Sequence, residues 1–212
     1  MAKTKSESKS EKPAKKSSKP KSEPAAEKPA ATMEAPVAPA PKKGRAKPPI
    51  DFGAALVDAF ATNERINQYL LENLDPSAWS AEAPVGKGRT IRGIVAHLHN
   101  VRHMWLVVAD KEIAAPEKLD RASVTLSEAR TALAASAEAL TELLRRSVAA
   151  GGHVKDFKPD VAGFLAYVVS HEAHHRGQIC MLARMLGKPL PQHVGFGMWE
   201  WRKRHAETQP QE

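Results

Sequence analysis

The sequence predicts an all-α fold, a four-helix bundle preceded by a disordered basic tail. Two observations carry the helical part. Strand-like alternation of apolar and polar residues is absent, and four long stretches repeat their apolar residues at steps of three and four between capping signals. A third is the charged, Pro116-bearing segment 110–124, which is long enough to be a crossover between the second and third helices.

The elements follow in order. Residues 1–49 hold 13 Lys and Arg against 5 Asp and Glu, a net of +8 that equals the net charge of all 212 residues, so residues 50–212 balance at 19 of each sign. The tail has no aromatic residue and nine of the sixteen prolines. Such a composition buries too little apolar surface to offset chain entropy, and disorder is the expectation. A basic arm of this kind binds nucleic acid or another polyanion by counterion release, or serves only as a solubilising spacer. The missing aromatics remove base stacking from the first reading.

The bundle domain is expected over residues 50–205, with a flexible end at 206–212. Asp51 caps a first helix reaching Leu74, where Asp75-Pro76-Ser77 stops it. Thr90 caps a second helix to Ala109 with the stripe Ile91, Ile94, Leu98, Val101, Trp105 and Val108. Thr125 and Glu128 form a capping box for an Ala-rich third helix that ends at Gly151-Gly152. Asp160 opens a fourth helix that Gly187 and Pro189 close, and the aromatic segment Phe196–Trp201 is expected to pack across the bundle. No apolar segment after Met1 suggests a secretory signal, and no apolar run is long enough to span a membrane. The single cysteine, Cys180, fits a reducing cytoplasm and points away from the face discussed next.

Residues 171–178 read His-Glu-Ala-His-His-Arg-Gly-Gln. His171 and His175 stand one helical turn apart, with Cβ atoms about 6 Å from each other, close enough to converge on one metal ion. Both fall on the apolar seam Phe164, Val168, His171, His175, Ile179, Leu182, Leu186. Two imidazoles buried side by side need partners for their ring nitrogens, which a shared metal or a hydrogen-bonded core pair would supply. His97 lies beside the stripe of the second helix and would add a third nitrogen donor; His99 and His103 are turned from it, towards solvent. Three histidines leave a tetrahedral ion one open position, and all-imidazole ligation suits zinc, nickel, iron or copper.

The octapeptide also matches the H-E-x-x-H pattern of zinc proteases, with Glu172 as general base. That reading lacks its extension: Gln178 stands where glycine is required, and a further ligand could come only from His193 or Glu200, past a helix stop. No strand precedes the helix to align a peptide. Glu172 is therefore expected to support the site from behind or to face solvent.

Three stretches resemble the DinB family, also called DinB/YfiT-like metalloenzymes: Thr-Ile-Arg-Gly-Ile-Val-Ala-His97 with Trp105 downstream, His171 to Gln178, and Gly197-Met198-Trp199-Glu200-Trp201. The resemblance covers about residues 50–205 and implies an up-down-down-up order for the four helices of the bundle. It implies His97, His171 and His175 as ligands of one divalent transition metal ion (zinc, nickel or iron), structural roles for Arg176 and Gln178 through helix–helix hydrogen bonds, and a homodimer. It implies a thiol-dependent S-transferase, or a related hydrolase or isomerase, in which a low-molecular-weight thiol is activated for attack on a small molecule. A thiol with a pKa of about 8.5 is mostly protonated at neutral pH and is deprotonated when it binds a metal. Trp105, Tyr167 and Trp199 are candidates for the pocket walls, with Glu172 behind them. The rival expectation is a non-catalytic metal-binding stress-response module whose basic tail binds nucleic acid or another polyanion.

Overall fold

The computed structural model describes residues 48–84 and 88–210, and the regular secondary structure among them is wholly helical. The basic tail, Pro48 and Pro49 apart, lies outside the described residues, and with it the expectation of disorder there. Four long helices, α1 (Phe52–Glu72), α2 (Ile91–Ala109), α3 (Leu126–Ala149) and α4 (Val161–Met185), are followed by the short α5 (Gln192–Gly197) and α6 (Trp201–Ala206). No described helix is long and apolar enough to cross a membrane.

Local chemistry sets the ends. Asp51, Thr90 and Asp160 accept the backbone N–H of Ala54, Gly93 and Gly163 at 3.0, 3.0 and 2.8 Å. Thr125 and Glu128 bond reciprocally as a capping box. Each such cap is worth about 1 kcal/mol. Gly151 (φ 89°) and Gly187 (φ 71°) take the left-handed conformation that ends α3 and α4. In both cases the next amide reaches back five residues, Gly152 to Ser147 at 2.8 Å and Lys188 to Ala183 at 2.9 Å. α1 stops at Glu72, short of Leu74, because Asp75 caps a 3-10 turn at Pro76–Ala78 instead; Leu74 stays buried.

Cross-helix contacts give the directions. The start of α1 meets the end of α3 (Gly53 against Val148) and its end meets the start of α3 (Gln68 to the Arg130 carbonyl, 3.0 Å), so these two are antiparallel. α2 runs with α3, from His99 beside Ala132 to Asp110 beside Arg146. α4 runs against α2, with His97 by His171 and Trp105 by Phe164, and along α1. These directions are up, down, down, up, and are compatible with a four-helix bundle.

The core is divided along its length. Leu70, Leu71, Ile94, Leu98, Leu133 and Ile179 form one apolar cluster, and Phe60, Leu106, Leu140, Leu144 and Phe164 form the other. On every helix the residues between the clusters include buried polar ones: Asn63, Glu64 and Asn67 on α1, His99 and Arg102 on α2, Ser136 on α3, Glu172 and His175 on α4. The site is built on this polar layer.

Two expectations are corrected here. His99 does not face solvent: it is fully buried, its Nδ1 3.0 Å from the Ala132 carbonyl and its Nε2 2.8 Å from that of Glu117. The crossover 110–124 covers that face of α2, with Asn100 bonded to Leu119 and His103 Nδ1 2.7 Å from the Pro116 carbonyl. Nor do the aromatics of 196–201 pack across the bundle, since Phe196, Trp199 and Trp201 are exposed. The segment is held instead by Val194, fully buried, by Gly197, whose added Cβ would stand 2.5 Å from the Tyr69 hydroxyl, and by Arg204, 3.9 Å above the Tyr69 ring. The chain stays anchored past 205, where Glu207 pairs with Arg65 at 2.7 Å and Arg204 at 2.9 Å.

Candidate metal centre

His171 and His175 lie one turn apart on α4, and α2, antiparallel beside it, carries His97 to the same level. His171 Nε2 stands 3.4 Å from His97 Nε2 and 3.2 Å from His175 Nε2. One nitrogen from each ring lies within 4.8 Å of both others. His175 is buried and the other two are half-buried. Among the described residues this is the one cluster of three or more potential ligand side chains.

Burial holds all three rings in the neutral form. It pushes His97 down to about 4, helped by the Arg89 charge and the two other histidines. His171 is lowered by burial and by His175, and His175 by burial, against the opposing effect of its bond to Gln178. That bond fixes a tautomer. The Gln178 carbonyl oxygen, 2.7 Å from His175 Nδ1, can only accept, so Nδ1 carries the proton and Nε2 presents a lone pair to the cluster. The buried Nδ1 of His97 has no partner among the described residues.

Neutral imidazoles so placed cannot satisfy one another. A single Nε2–H from His171 could serve one neighbour and would leave the other lone pair facing a nitrogen. A cation satisfies all three. Nitrogens about 2.0–2.1 Å from a tetrahedral zinc stand roughly 3.3–3.4 Å apart, close to two of the separations found. The donor set fits a divalent transition metal ion.

Of the two places expected for Glu172, solvent is excluded: it is 1 % exposed and points into the polar layer behind the histidines. Arg102 donates to it twice, at 2.7 and 3.0 Å, and Asn63 and Asn67 donate at 2.6 and 2.7 Å. Arg102 also holds Glu64 at 2.6 Å and the Leu133 carbonyl at 2.9 Å. Burial alone would raise the Glu172 pKa, yet Arg102 holds it below the usual carboxylate range, so it is ionised, and its oxygens are occupied by Arg102, Asn63 and Asn67. A helical wheel could not choose between the two places, because the partner, Arg102, lies seventy residues away in sequence.

The other candidates divide. Arg176 crosses from α4 to α1, donating to Asn63 and Asn67 at 2.8 and 2.7 Å. Gln178 makes no helix–helix bond; its partners, His174 and His175, are on its own helix, because its side chain turns along α4 rather than across it. Tyr167 stacks on His171 at 6.1 Å, and Trp105 stands edge-on to Tyr167 at 5.7 Å. The cavity between them holds about 10 Å³, on the order of one water. Trp199 walls no space at the histidines: it is 84 % exposed and borders a groove near Cys180 and Pro191.

A larger groove of about 630 Å³ lies against α4, lined in part by Arg89, His174, Gln178 and Met181. Arg89 and Arg102 were not among the sequence candidates. Arg89 had a signal, a cation one residue before the cap of the helix that carries His97. Arg102 had none, since a lone arginine on a helix reads as a solvent-facing residue.

A family model described as DinB family matches residues 50–208. No curated protein and no solved structure matches the chain.

Proposed function

The chain belongs to the DinB family, and on that premise we propose that His97, His171 and His175 hold one divalent transition metal ion in an enzyme acting on a small molecule. The observation that carries the reading is the convergence of three imidazole nitrogens within 4.8 Å, with every ring held neutral by burial. An ion bound there supplies a nucleophile at neutral pH by lowering the pKa of a thiol or water.

The surrounding residues prepare the site. Gln178 holds the His175 proton on Nδ1 and keeps Nε2 free to donate its lone pair. Tyr167 covers one face of His171, with Trp105 edge-on behind it. Arg102 and Glu172 lock α2 to α4 one residue from His171 and set the spacing of the two halves of the donor set. The activity in this reading is a thiol-dependent S-transfer, or a related hydrolysis or isomerisation, with zinc, nickel or iron as the ion, carried out by a cytoplasmic homodimer.

Elemental analysis tests the core of it. The purified protein is expected to hold about one ion per chain and the His175→Ala variant none; a wild type that binds no metal overturns the proposal. A chromogenic electrophile offered with a panel of cellular thiols tests the chemistry, and no metal-dependent rate with any of them rules out S-transfer. The tail's net charge of +8 favours a second reading, a non-catalytic module that binds nucleic acid. It predicts salt-sensitive DNA binding that disappears when residues 1–48 are removed.

A further inference from the structure

The groove along α4 has the makings of a binding site for one class of small molecule. Its volume, about 630 Å³, is that of a ligand pocket. Among the described residues one charged side chain lines it, Arg89, and no carboxylate does. Arg89 is exposed and has no ion-pair partner among the described residues.

The remainder of the groove is apolar where it follows α4. Met181 and Met185, one turn apart, are 59 % and 46 % exposed, with Ile94 and Leu182 also in the lining. Unbranched thioethers adapt to varied apolar partners, and two of them exposed together on one helical face lack a protein surface to cover them. The groove also reaches the histidines. His174 and Gln178 lie in its wall, Gln178 bonds His175, and the His174 ring is 5.1 Å from that of His175. The charge of Arg89 is felt by all three rings.

We infer that this groove binds an amphipathic carboxylate, its headgroup on Arg89 and its apolar body along Met181 and Met185. A guanidinium matches a carboxylate through two parallel hydrogen bonds. The inference rests on the proposed metal site in one respect: it supplies the substrate class for that site by placing a carboxylate-bearing molecule beside His175.

Octanoate is a suitable probe, added to the full-length protein labelled with carbon-13 at its methionine methyls. Saturable shifts are expected at two signals, identified by their loss in Met181→Leu and Met185→Leu. 1-Octanol, which keeps the chain and lacks the charge, is expected to bind at least tenfold more weakly. Arg89 is exposed, so Arg89→Gln should leave the fold intact; it is expected to weaken octanoate at least tenfold and abolish the preference over octanol, while Arg89→Lys retains part of it. Equal binding of octanol and octanoate, unchanged binding by Arg89→Gln, or no saturable shift overturns the inference. Its failure is distinguishable from that of the metal reading. Octanoate binding to a protein that holds no metal defeats only the latter, and a metal-loaded protein blind to octanoate defeats only the former.

Discussion

His171 and Glu172 are consecutive residues on α4, both half or fully buried at the polar middle of the bundle, and their surroundings differ in kind. Glu172 is answered from three side chains: Arg102 neutralises it, and Asn63 and Asn67 fill the remaining acceptor positions of its carboxylate. His171 faces two more imidazoles, and the three neutral rings leave nitrogen lone pairs directed at one another. The protein has thus finished one polar cluster with its own donors and left the other to be finished by something else. A satisfied buried network holds helices in register, and a convergent unsatisfied one is where a ligand is taken.

Removing the central cation should separate the two clusters most sharply. Arg102→Met would leave Glu172 and Glu64 buried without their hydrogen-bonded counter-charge, with only the more distant Arg176 acting on them, and a loss of about 3–5 kcal/mol is expected in denaturant unfolding. If Arg102→Met costs no more than a surface substitution, the network is not the structural half of the pair.

Gln178→Ala addresses the other half. With no acceptor for its Nδ1 proton, His175 is free to adopt the wrong tautomer, and metal affinity should fall about 10–100-fold. Competition with a chromophoric chelator measures this, and the denaturation midpoint of the metal-free variant should stay near that of wild type.

Acid should then unfold the clusters in sequence. The folded pKa of His97 is about 4, below its ordinary 6.5, so folding favours the neutral ring. The stability of metal-free protein that it contributes is complete above about 6.5 and is lost as pH falls towards about 4. Glu172 is also lowered, from 4.5, so its contribution is present above that value and is lost at still lower pH, through its folded pKa. Denaturant midpoints against pH should show both limbs, and His97→Gln should reduce only the upper one, to which His171 and His175 also contribute. Smallest of all, Trp199→Ala should change stability by no more than about 0.5 kcal/mol, because its ring lies in solvent and takes no part in either cluster.

Much of this was legible beforehand, for local reasons. Asp51, Thr90, Thr125 and Asp160 mark helix starts by bonding amides three residues on, and Gly151 and Gly187 mark ends by a conformation other residues avoid. The candidate histidines were legible because an i,i+4 pair of imidazoles on an apolar seam is costly to bury without a shared partner. His99 and Gln178 were misjudged, and Glu172 was left between two places, because each depends on what lies against the helix. A crossover's carbonyls, an arginine seventy residues away and a side chain turned along its own helix leave no periodic trace in the sequence.

Sequence by itself determined the helices, their caps, the family and the three histidines, since each is encoded in neighbours within a turn or two. Tertiary structure decided which polar residues are answered. Only the antiparallel pairing of α2 with α4 places Arg102 on Glu172 and His97 beside His171, and it does both at once because the two contacts share the same pair of helical faces.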